Sequence, residues 1–167
     1  MEIIVADANI FVYLHLCGLL EKFLSNDRCQ VTVASAVYYE ITDRNKRISR
    51  EYPEWRKLIL DSTNNHTSPT TLEHVITNQG INNIFAMNIY YELNDKGELD
   101  LGEIESIPLS IELNARFLSN DIEAIKVANT IQAGLGIVFL EFSIELSENG
   151  VICQEELESI QELLNNY

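Results

Sequence analysis

The chain has 167 residues, enough for one domain with a real core. Apolar residues make up 46% and charged residues 22%, which excludes wholesale disorder and a fibrous class. Eleven Lys and Arg against 26 Asp and Glu give a net charge of −15, which argues against a general nucleic-acid coat protein and leaves RNA or DNA to a local basic patch.

The elements read as follows in chain order. Ile3, Ile4 and Val5 form a β-branched run ending at Ala6 and Asp7, the pattern of a buried parallel strand. Ile10, Phe11, Leu14, Cys17, Leu20, Phe23 and Leu24 recur at helical spacing and predict one helix over 10–25, entered at Asp7 or Asn9. Residues 30–33 read as a second strand, and Ser35 can cap a helix through Glu40 to about Thr42. Residues 44–57 carry Arg44, Lys46, Arg47, Arg50, Arg56 and Lys57, six of the eleven basic residues. This run is +4, so the remainder is −19. Residues 62–70 form a polar, turn-rich loop, and a helix is expected over 70–78.

Residues 81–99 fit both alternation and helical spacing, and the helical reading is taken. Gly102 precedes a helix at 103–113, which Pro108 should bend or shorten. Residues 116–119 are a strand, followed by a helix at 122–133 that Gly134 and Gly136 end. Residues 137–140 are the last strand. The tail from 142 to 165 reads as two helices broken at Asn149 and Gly150; from Glu141 onward it has seven glutamates and no Lys or Arg. Strands alternating with helices imply one domain with a mostly parallel sheet covered on both faces.

Cys17, Cys29 and Cys153 are odd in number and lack Cys-x-x-Cys spacing, which disfavours a disulfide framework or zinc knuckle and fits a reducing cytosol. His15, His66 and His74 show no metal-ligand spacing. No basic residue precedes the first apolar run, and no run approaches the roughly 20 apolar residues of a membrane span. A cytoplasmic protein with no membrane partner is expected.

In parallel sheets the site lies beyond the carboxyl ends of the strands. Asp7 follows the first strand, Glu40 lies on the helix after the second, Glu103 opens the helix before the third, and Asp121 follows that strand. Four carboxylates brought to one sheet edge would repel one another unless a cation arrived. Hard divalent ions prefer oxygen ligands, and Mg²⁺ takes a few carboxylates, several waters and substrate phosphate. An acid cluster beside a basic run therefore suits metal-dependent phosphodiester cleavage, with the run at 44–57 holding the backbone.

Each residue also has a plainer role open to it. Asp7 and Asp121 can cap helices, Glu103 can answer a helix dipole, and Glu40 can be a solvated glutamate. Asp100 is the rival for the third acid, with a turn role before Gly102 as its alternative. Glu105, Glu112 and Glu123 read as exposed helix charges. Tyr52 and Trp55 read as packing residues in preference to base-stacking ones.

The pattern V-A-D-A-N-I at 5–10, Glu40 in S-A-V-Y-Y-E-I, L-D-L-G-E at 99–103 and F-L-S-N-D at 117–121 resembles the PIN domain, a nuclease fold of many prokaryotic toxins. A small prokaryotic subgroup with an L-D-x-G-E motif is the nearest in pattern. The resemblance implies a three-layer α/β/α PIN-like fold with a central, mostly parallel sheet of four to five strands. It also implies endoribonuclease chemistry with one or two Mg²⁺ or Mn²⁺ ions. Asp7, Glu40, Glu103 and Asp121 match the four family acids in order. Asn9 matches a frequent polar position after the first acid, and Ser119 the hydroxyl residue before the last acidic pair. Asn120 stands where the subgroup often carries an extra Asp, and no Arg follows Asp121 where one is common. Arg44, Lys46, Arg47 and Arg50 are the expected RNA contacts. A homodimer and a cognate antitoxin partner are family expectations. The alternative is a catalytically weak PIN-like scaffold that acts through a protein partner.

Overall fold

The computed structural model describes residues 2–43, 46–53 and 83–167. Arg44, Trp55, Arg56, Lys57, the loop at 62–70, the helix at 70–78, His66 and His74 lie outside the described residues. β1 (Glu2–Ala6), β2 (Cys29–Thr32), β3 (Arg116–Ser119) and β4 (Gly136–Val138) form one all-parallel sheet. Its order is β2-β1-β3-β4. Ile4 registers with Val31 on one side, and Ala6 with Leu118 on the other. The chain leaves β1 toward β2 and then crosses back to place β3 on the far side. This reversal places the switch point of the open parallel sheet at the carboxyl ends of β1 and β3, the position at which such sheets bind ligands.

Side-chain alternation along β3 sorts the core into two layers. Leu118 faces a cluster shared with α1 (Ala8–Leu16), α2 (Leu20–Ser25), α3 (Ser35–Thr42), α8 (Phe139–Glu148) and α9 (Gln154–Asn166). Phe117 faces a second cluster built by α5 (Ile84–Lys96), α6 (Leu101–Glu112) and α7 (Ile122–Ile131). The short α4 (Arg47–Glu51) is held by Ile48, and Tyr52 just beyond it, against the first cluster. The expected α/β/α arrangement is therefore present, with four strands among the described residues. Among the same residues no helix is long and apolar enough to cross a membrane.

Several elements differ from the sequence expectation. The helix expected over 10–25 is two helices. Gly18 takes the left-handed region at φ 70°, where its N–H and that of Leu19 bond back to His15 and Leu14. That pattern terminates a helix while satisfying its last carbonyls. The same pattern at Gly150 makes the expected break before α9. Ser35 is not a cap but the first helical residue after Ala34. The N–H of Ala36 is instead bound by Glu105 Oε2 at 2.8 Å, so Glu105 is a structural tie between α6 and α3 and not a free surface charge.

Pro108 neither ends nor shortens its helix, because burial of residues 102–104 and 106–110 holds α6 through the missing N–H. α7 stops at Ile131, two residues early, and the last strand shifts to Gly136–Val138 with helix resuming at Phe139. Asn129 explains the shift. Its amide accepts from Gly136 N–H at 2.9 Å and donates to Gly136 C=O at 3.2 Å, as a neighbouring strand would. Gly136 is thus not a helix stop but a packing residue.

At the amino edge of the sheet, Arg116 binds the carboxylates of Glu2 and Glu145. Both partners hold its guanidinium charged well above the ordinary range. A Cβ on Gly136 would meet Ala128 Cβ, Ile125 Cδ1 and the Ile125 carbonyl oxygen, each at 3.2 Å. Gly136→Ala is expected to lower stability by about 1–3 kcal/mol in urea unfolding, because a backbone atom in that contact cannot rotate away.

Candidate functional site

The site is built by helix starts. Asp7 directly follows β1 and is the N-cap of α1, its Oδ1 accepting from Ala8 N–H at 2.7 Å. Its own N–H continues the ladder to the Leu118 carbonyl at 2.9 Å. Its Oδ2 accepts from the fully buried Ser119 hydroxyl at 3.0 Å, across the switch point. Ser119 Oγ in turn accepts from Asp121 N–H at 3.0 Å. One hydroxyl therefore ties the ends of β1 and β3 together. Asp121 caps α7, its Oδ1 accepting from the N–H groups of Glu123 and Ala124.

The third piece arrives on α6. Asp100 and Glu103 form a reciprocal capping box, with Glu103 N–H to Asp100 Oδ1 at 2.9 Å and Asp100 N–H to Glu103 Oε2 at 3.1 Å. Gly102 lets this corner close. A Cβ there would stand 3.1 Å from Val37 Cγ2 of α3, 3.3 Å from Asp100 Oδ1 and 3.7 Å from Asp7 Oδ1. The glycine of the L-D-L-G-E motif thus has a packing reason: it brings the start of α6 against both α3 and Asp7.

The electrostatics follow from this crowding. Asp7 and Glu103 are each 5% exposed, Glu40 is half-buried, and Asp100 and Asp121 face solvent at the mouth. Burial raises the Asp7 pKa to about 6, and repulsion from Asp100 and Glu40 adds to it, against hydrogen bonds from Ala8 and Ser119. Burial also raises Glu103 to about 7, followed by the charges of Asp100, Asp7 and Asp121. Glu40 is pushed up by burial and Asp100, and Lys46 pulls it back. The sequence expectation ranked Asp100 below Glu103. In the fold its charge acts on Asp7, Glu40 and Glu103 alike, so it joins the candidate acids. The signal was present in its place three residues before a Glu, which marks a capping box.

The fold thus brings Asp7, Glu40, Glu103 and Asp121 to one edge, with Ser119 beneath them and the half-buried Asn120 between Ser119 and Asp121. Asn9 lies just inside α1, and its Oδ1 is enclosed with no hydrogen-bond partner among the described residues. Lys46, Arg47 and Arg50 are exposed at α4, where Arg47 pairs with Glu51 at 3.2 Å and Lys46 reaches Glu40 electrostatically.

The donor set suits a hard divalent ion. After capping, Asp100 Oδ2, Glu103 Oε1 and Asp121 Oδ2 accept no hydrogen bond from the described residues. Among the described residues no three acidic, thiol or imidazole groups close into a ready cage. Mg²⁺ needs no such cage, since it keeps several waters and takes one or two carboxylates.

No family model, curated protein or solved structure matches this chain.

The raised pKa values fix a pH dependence. Asp7 holds its proton to about pH 6 in the native state but only to 3.8 when unfolded, so folding takes up a proton between these values. Its contribution is fully favourable below about pH 4 and is lost as pH rises through about 6, a change of about 3 kcal/mol. Glu103 acts in the same direction up to about pH 7. Asp7→Asn keeps the cap but removes the charge. In EDTA the variant should be about 1–3 kcal/mol more stable than the parent at pH 8 and near equal at pH 4, by urea unfolding at both pH values.

Proposed function

We propose that the chain is a metal-dependent endoribonuclease of PIN-domain type, with Mg²⁺ or Mn²⁺ held by Asp7, Glu40, Glu103 and Asp121 and by Asp100 beside them. The observation that carries this reading is the burial of mutually repelling carboxylates at the β1/β3 switch point. Burial, with repulsion from neighbouring carboxylates added to it, raises their proton affinity toward neutrality, and a divalent ion would compete for the same oxygens. Asn9, on the first turn of the helix that Asp7 caps, adds an enclosed Oδ1 with no hydrogen-bond partner among the described residues.

A bound ion supplies Lewis acidity at a phosphodiester. The chain's residues do the rest. Ser119 fixes the Asp7 carboxylate and the start of α7 in one network. The capping box fixes Asp100 against Glu103. Lys46, which acts on Glu40, and the exposed Arg47 and Arg50 of α4 would supply positive charge for the RNA backbone.

A second reading has its own support. Asp7, Asp100 and Asp121 each cap a helix, so the acids have structural work in a scaffold without catalysis. Metal binding separates the two. On the nuclease reading, calorimetry finds saturable Mn²⁺ binding to the parent and none to Asp7→Asn/Asp121→Asn. RNA cleavage in Mn²⁺ falls at least about 100-fold in that double variant and ceases in EDTA. A parent with no saturable Mn²⁺ binding leaves the scaffold reading standing.

A further inference from the structure

Tyr39 is the residue before Glu40 on α3, and it is 54% exposed. Two contacts fix it. Its hydroxyl hydrogen-bonds to Asp43, which pushes the phenol pKa above its ordinary value. The Lys46 ammonium lies over the ring, 5.0 Å from its centroid. The same ammonium acts on the Glu40 carboxylate. One lysine therefore links an exposed aromatic face to an acid of the candidate site. A large aromatic held in the open by its polar end, with a cation at its face, is poorly explained by folding. It buries little, and α3 already anchors itself through Val37 and Ile41.

We propose that Tyr39 is a nucleobase-stacking residue of the RNA site, with Lys46 as the phosphate contact beside it. This rests on the nuclease reading for its substrate. A base has a π-face that stacks on an aromatic ring regardless of sequence, while a neighbouring cation neutralises the backbone. Through Lys46, which meets the Tyr39 ring and acts on Glu40, Tyr39 would hold a nucleotide near the acids and so set where the chain of phosphates crosses them. A base paired in a duplex offers no free face, so Tyr39 contributes only when the strand is single. The short reach of this contact suits a chain of net charge −15, because a local cation acts within about 8–10 Å in physiological salt whereas the distant acids are screened.

The test uses the full chain in EDTA with a single-stranded oligoribonucleotide carrying 2-aminopurine, so that binding is read without cleavage. The expected result is quenching of the aminopurine on binding to the parent and to Tyr39→Phe. Tyr39→Ala loses the quenching and binds about 5- to 100-fold more weakly. The same oligonucleotide annealed to its complement should show no dependence on Tyr39. Equal quenching and affinity in Tyr39→Ala, or no quenching by the parent, overturns the proposal. The nuclease reading fails separately. Its marks are Mn²⁺ uptake and RNA cleavage by the parent, and these can be lost while Tyr39-dependent quenching persists, or kept while it is absent.

Discussion

A parallel sheet places the start of every following helix at one edge. The first N–H groups of those helices have no partners within the helix. Here α1 and α7 start at the carboxyl ends of β1 and β3, and α6 is packed so that its start meets theirs. Asp7, Asp100 and Asp121 satisfy the exposed donors, and Glu103 returns the bond within its capping box. The rest of the site depends on this constraint. Capping fixes one oxygen each of Asp7, Asp100, Glu103 and Asp121, and Ser119 holds the second oxygen of Asp7.

The opposite edge is handled differently. Arg116 opens β3 at the amino end and binds both Glu2 and Glu145, which offsets part of the negative charge that gathers there. At the carboxyl edge Lys46 acts on Glu40, while Asp7 and Glu103 are governed by burial and by the charges of neighbouring carboxylates, Asp100 among them. A chain that answers its acids with arginine at one end leaves them crowded at the other. Helix N-termini supply partial positive charge at this edge, each worth about 0.3–1 kcal/mol to a carboxylate. For Asp7 and Glu103 burial outweighs that help, and their proton affinities rise.

Much of this was legible in the sequence, and the reasons are specific. The β-branched run before Asp7 and the strand at 116–119 read correctly because each holds a short apolar run or pair, Ile3 to Ala6 and Phe117 with Leu118, flanked by polar residues. The ambiguous 81–99 segment became α5 because Ala86, Ile89 and Leu93 share one buried face, and tertiary packing chose the period. Gly18 was missed because the hydrophobic spacing continues across it, although its backbone does not. Glu105 and Asn129 were missed for a different reason. Each bonds to the backbone of a distant or later element, and no local pattern announces such a partner. The plain and the sharp readings of Asp7 and Asp121 were set against each other in the sequence, yet the fold gives both residues the capping role without removing them from the cluster.

That coexistence bears on why acids stand at these positions at all. Asn caps a helix about as well as Asp, and Ser is nearly its equal. An Asn at position 7 would still accept from Ala8 N–H and avoid the burial of a charge, although its amide nitrogen could not accept from Ser119 as the carboxylate does. At Asp121 a serine could accept from the same N–H groups. Capping therefore explains the hydrogen bonds but not the charges. Where folding alone would settle for a neutral side chain, a buried carboxylate near two others is retained at a cost in stability. On the nuclease reading, a cation held at this edge would supply the reason that capping leaves open.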